Sequence, residues 1–199
     1  MLTRFAGLFG LLTPMITLTL IFISISLSPW FDWHNNALSD LGVSTTPNPF
    51  NAALVIGGLL YLVFVIGFLR WQGCASRLAK LGAFFLLAGG LGLGLIGIFA
   101  EDTGRIHYVV AATYFLATPL AYGLFGTDLL KRGEPVSGVL TLAAGAAAFS
   151  LIAFVPHKRI AVPEILAAVI IAAWTFSIGV KMLIEPENKH EQTQPTIQS

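Results

Sequence analysis

Charge is what this chain has least of. Only 11% of its 199 residues are Asp, Glu, Lys or Arg, where a soluble domain carries about a quarter. So few charges cannot cover a particle in water, which points away from a soluble fold. The two signs nearly cancel to a net charge of +1, so there is no basic face of the kind nucleic acid needs. Cysteine is almost missing as well. Cys74 stands alone, which excludes an internal disulfide and any multi-cysteine metal cluster. Neither H-E-x-x-H nor G-x-S-x-G occurs, so two common signatures of hydrolytic sites are absent.

What is present is apolar. Hydrophobic residues make up 56% of the chain, and the mean hydropathy is +0.81. Charged residues bound long uncharged runs: Arg4 to Asp32, Asp40 to Arg70, Lys80 to Glu101, Arg105 to Asp128 and Glu134 to Lys158. Each is long enough for the roughly 20 apolar residues that cross a bilayer core. The run from Glu164 to Lys181 is shorter, but Ala161 to Pro163 and Met182 to Ile184 extend it, and lysine can snorkel. These runs predict an all-α polytopic bundle of six transmembrane helices, at about 7–29, 51–69, 81–100, 107–128, 136–156 and 162–183. The first run is too long for a signal peptide's apolar core of roughly 7–15 residues, and no small-x-small cleavage site follows it.

Lysine and arginine set the expected orientation. With the N-terminus inside, Arg4, Arg70, Arg77, Lys80, Lys131, Arg132, Lys181 and Lys189 are cytoplasmic, and Arg105, Lys158 and Arg159 are outside. The chain should therefore be N-in and C-in, a multi-pass protein of the cell membrane with lipids as its partners. Residues 1–184 form the transmembrane domain in this reading. Residues 185–199, "EPENKHEQTQPTIQS", are polar, aperiodic and expected to be a disordered cytoplasmic tail. Gly90 and Gly94 in helix 3, "AAGAAA" in helix 5 and Ala168 and Ala172 in helix 6 predict close backbone packing.

Sorted by side, the outer face collects most of the groups able to do chemistry. The first outer loop, "WFDWHNNALSDLG", scans as a short interfacial helix over 30–41. Asp32, Asn35, Asn36, Ser39 and Asp40 share one stripe, opposite Trp30, Trp33, Ala37 and Leu41. That stripe either faces water or turns inward to roof a cavity. The second outer loop is "AEDTGRIH", with Glu101, Asp102, Arg105 and His107. His107, Ala111, Tyr114 and Thr118 then follow on one helical face. This loop is either a hydrogen-bonded turn or part of a pocket. The third, "VPHKRIAVPE", carries His157, Lys158 and Arg159, a solvated loop or a site for lipid phosphates.

These motifs resemble the domain of unknown function 998 family of small six-helix prokaryotic membrane proteins, common in archaea. Ser39, Leu41 and Gly42 match an "S-x-LG" stretch, and Phe50 and Asn51 match an "FN" that opens helix 2. Gly97, Phe99, Asp102, His107 and Ala111 match the stretch across the helix 3–4 turn, although Ala100 and Glu101 stand where the pattern has proline and a variable residue. The resemblance spans residues 7–183. It implies the six-helix bundle, directs attention to Asp40, Asp102 and His107, and implies no established activity.

Three functions follow as expectations. The first is an integral membrane protein whose outer cluster (His34, Asn36, Ser39, Asp40, Asp102, His107, Tyr114 and His157) fastens loops and binds a lipid headgroup. The second is a membrane-embedded hydrolase or lipid-modifying enzyme, with Asp102, His107 and Asp40 as candidate catalytic groups. His34, Asp102 and His107 are its candidate metal ligands. The third is a small transporter, although no charge sits at mid-span. No cofactor and no oligomeric state is legible in the sequence.

Overall fold

In the computed structural model, which describes residues 2–154 and 161–185, the chain is helical throughout, with no strand among the described residues. The helices are α1 (Leu2–Ser26), α2 (Asn48–Gln72), α3 (Arg77–Ile98), α4 (Arg105–Lys131), α5 (Pro135–Phe154) and α6 (Ala161–Ile184). All six are long and apolar enough to cross a membrane. At 1.5 Å per residue, even α5 with 20 residues reaches about 30 Å. The outward faces carry Leu59, Phe84, Leu91 and Leu140, each more than half exposed. Water would not tolerate such a belt, and lipid matches it. The chain is a multi-pass integral membrane protein.

Consecutive helices pack as neighbours, and α6 returns to α1 and closes a ring. Glycine sets how close they come. In α3 the glycines split between two faces. A Cβ on Gly94 or Gly97 would meet the α2 backbone, and one on Gly89 or Gly92 would meet Thr118 or Tyr114 of α4. The α1–α6 seam is tightest where Gly7 and Gly10 meet Gly179. Aromatic rings fill one half of the ring's centre. Trp174 of α6 packs on Tyr122 of α4 at 4.1 Å and on Phe68 of α2 at 5.5 Å, and Phe68 meets Phe125 at 5.2 Å.

The helices run past several expected ends. Expected at 81, α3 begins at Arg77, because the Ser76 hydroxyl accepts from the Ala79 N–H at 3.0 Å and caps it. Ser76 also donates to Asp128, which is paired with Arg132 at 2.8 Å. The Arg132 guanidinium donates on to the Gln72 and Gly73 carbonyls. This knot ties the ends of α2, α3 and α4 together. The last residues of the expected fifth helix, Val155 and Pro156, and the tail beyond Glu185 lie outside the described residues.

The loop over 30–41 is not one helix. It forms turns and then a short 3-10 segment, Leu38–Val43. The cause is local. Asp32 accepts from the backbone N–H groups of His34 (2.8 Å) and Asn35 (3.0 Å), and the Asn36 side chain accepts from the Asp32 N–H (2.9 Å). Short polar side chains that bond their own backbone compete with a helix.

Candidate functional site

The half of the ring not filled by aromatics holds a cavity of about 90 Å³. Every helix except α5 contributes to its wall. The wall is mainly apolar, with Leu18, Ile21, Leu54, Ile96, Phe115 and Ile171, interrupted by Thr17, Tyr61, Tyr114 and Thr175. The 3-10 segment roofs it through Leu38 and Ser39, and His107 and Glu164 stand at its mouth. A second hollow adjoins it, a groove of about 610 Å³ between α4 and α5. Its walls include Ala112, Phe115, Leu116, Ile152 and Ala153. Ser39, His107, Ala111, Phe115 and Glu164 line both spaces.

Three carboxylates gather at this junction. Asp40 lies on the 3-10 segment, where its Oδ2 accepts from the Asn36 side chain at 2.9 Å and the Ala37 N–H at 3.1 Å. Glu101 opens the turn Glu101–Thr103 and lies beside Asp40, Ser39 and His107. Burial first, and then Asp40 beside it, push the Glu101 carboxyl above its ordinary value, while Ser39 and His107 pull the other way. Glu164, in the first turn of α6, faces both acids. Its Oε2 accepts from the Leu38 N–H at 2.8 Å, which fastens the roof to the last helix.

His107 sits in the first turn of α4 with Nδ1 at 2.8 Å from the Phe99 carbonyl oxygen. A carbonyl only accepts, so Nδ1 carries the hydrogen of this bond. This bond also closes the turn. Gly104, at φ +62°, lets the chain reverse between α3 and α4.

The other expected site residues lie as follows. Ser39, Asp40 and His107 meet at the junction, Asn36 holds Asp40, and Tyr114 is buried in the cavity wall. Asp102 is exposed, and its neighbour Glu101 is the acid that faces Asp40. His34 is exposed, beside an Asp32 whose carboxyl the His34 N–H holds below its ordinary value. His157 lies outside the described residues. No three His, Cys, Asp or Glu side chains are arranged to hold a metal ion among the described residues. Glu101 and Glu164 were not among the sequence candidates. Their only signal was their placement at the ends of uncharged runs, beside the outer loops.

The pattern of the family described as "Protein of unknown function (DUF998)" matches residues 11–181. The chain belongs to that family. No curated protein and no solved structure matches it. The motifs first recognised in this DUF998 chain are in contact with one another. Asn51 donates from its side chain to the Gly42 carbonyl at 2.9 Å, and a Cβ on Gly42 would press on Phe50 and Asn51. A Cβ on Gly97 would strike the Asn51 carbonyl, and Phe99 supplies the acceptor for His107. Leu41 is fully buried beneath them. These contacts hold the 3-10 segment against the ends of α2 and α3, and Phe99 fixes the His107 ring.

Proposed function

We propose that this protein binds a lipid-like amphiphile at one end of its bundle. The polar head lies among Ser39, Glu101, His107 and Glu164, and the apolar part lies between α4 and α5. One observation carries the reading: an apolar groove of about 610 Å³ on the lipid-facing side runs into that polar junction. A polar group at the edge of a membrane is costly unless it meets a partner, and an amphiphile fits a site that is apolar at one end and polar at the other. The lysine and arginine distribution supports an N-in and C-in orientation in the cell membrane. The site then faces outward, with the tail in the cytoplasm. The partners in this reading are membrane lipids, and nucleic acid is not among them. The test is native mass spectrometry of the protein released from mild detergent. Wild type should retain a lipid adduct, and Ala112→Trp, which fills the groove, should lose it. A folded wild type with no adduct would end the reading.

A second reading is favoured by His107. With Nδ1 committed to the Phe99 carbonyl, Nε2 is the ring nitrogen left for proton transfer, in the same junction as the carboxyls of Glu101 and Glu164. Such an arrangement suits a hydrolase or lipid-modifying enzyme that works by acid–base chemistry. Turnover of membrane lipid by wild type, abolished in a His107→Gln variant that still binds the lipid, would establish it.

A further inference from the structure

The head site has a second apolar branch. The cavity behind Ser39, His107 and Glu164 reaches to the α1–α6 seam. It shares Pro14, Leu18 and Ala172 with a third hollow, a groove of about 660 Å³ between α1 and α6. The seam is closest at the other end of the two helices. Gly7 and Gly10 press on Gly179 without intervening side chains. Farther along, Met15, Leu18 and Phe22 of α1 face Val169 and Phe176 of α6 across open space. Pro14 lies at the transition, where the helix lacks one backbone N–H. Apolar surface therefore extends from the bilayer beside α1 and α6, past the shared Pro14, Leu18 and Ala172, to the cavity and the head site. From there it continues into the α4–α5 groove.

Resting on the lipid-binding reading above, we infer that the ligand is a lipid with two apolar chains, one in each branch. The two grooves are of similar volume, about 660 and 610 Å³, and one headgroup position serves both. A single-chain amphiphile would leave the inner branch unfilled. A second copy of this chain would cover the grooves from outside without entering the cavity between them. The cavity wall is chiefly aliphatic and aromatic.

Native mass spectrometry on the full-length protein, incubated with the total lipid extract of the membrane that produced it, tests this. Wild type should carry two-chain lipids. Ala172→Trp, which blocks the inner branch, should weaken two-chain binding at least about tenfold, because a chain contributes on the order of a decade in affinity for every two carbons buried. Leu18→Trp should act in the same way from the other wall. Single-chain lipid, retained through the α4–α5 groove, should survive Ala172→Trp and be lost in Ala112→Trp. Thermal melting of each variant confirms that it is folded. Adducts of single-chain lipids only, or two-chain adducts indifferent to both Ala172→Trp and Leu18→Trp, would overturn the inference and leave the lipid-binding reading standing. No adduct of any kind overturns both.

Discussion

Replacing Glu101 by glutamine should make the protein less sensitive to pH. Glutamine keeps the shape of the protonated acid, and its amide can still donate to Asp40. In wild type the Glu101 carboxyl is pushed above its ordinary value of 4.5, by burial first and by Asp40 second. Below that ordinary value both the folded and the unfolded chain hold the proton, and its stabilising effect is fully present. As the pH rises, the unfolded chain ionises first, and stability falls until the folded chain has also lost its proton. The size of the effect is limited because Glu101 is only half-buried, and solvent screens it. About 1 kcal/mol is a reasonable scale, the net worth of one hydrogen bond. For a chain of this length that is about 2–4 °C in melting temperature. Asp40, His107 and Glu164 face the same group, so the difference between the two melting profiles reports Glu101 together with its coupling to its neighbours. The assay is tryptophan-fluorescence melting in detergent at several pH values from 4.5 to 8. Wild type should lose about 2–4 °C relative to Glu101→Gln across that range. Parallel profiles would refute the raised Glu101 carboxyl, and so would a variant that is already destabilised at pH 4.5.

Two further predictions concern the framework. Asn51→Ala removes the donor to the buried Gly42 carbonyl and should cost about 1–3 kcal/mol. Chemical-denaturant melting should show that loss, together with a weakened lipid adduct as the roof loosens; an unchanged melt would mean the bond contributes nothing. Asp128→Ala takes away the partner of Arg132 and Ser76 and should cost about 1.5–3 kcal/mol, the range for hydrogen bonds to a charged group. The lipid adduct should persist there, since that knot lies at the opposite end of the bundle, and a lost adduct in a folded protein would contradict this separation.

The six spans were legible because lipid demands uninterrupted apolar length, and charge marks where that length stops. Their ends were less so. Arg77 and Lys80 look like loop residues by charge, yet the Ser76 cap draws them into α3. The stripe over 30–41 has helical spacing, but spacing does not reveal that Asp32 and Asn36 spend their side chains on nearby backbone N–H groups. At the site, Asp40 and His107 stood out as polar residues beside apolar runs. The choice between Glu101 and Asp102 did not, because adjacent acids in a turn point different ways and only the turn's geometry decides which one faces inward. Glu164 was hidden by distance along the chain, as its partner Leu38 lies 126 positions earlier.

That separation has a consequence for how the protein is made. The roof over the cavity is synthesised with the first loop, and the carboxylate that fastens it arrives with the last helix. At roughly 5–20 residues per second, 126 positions take about 6–25 s. During that interval the ring is open, because α1 meets its closing partner only when Gly179 of α6 arrives against Gly7 and Gly10. The nascent bundle stands as an incomplete arc with its interior facing the bilayer sideways. A ribosome that stops short of α6 therefore leaves the cavity wall to α1–α4, with no Glu164 to fasten its roof.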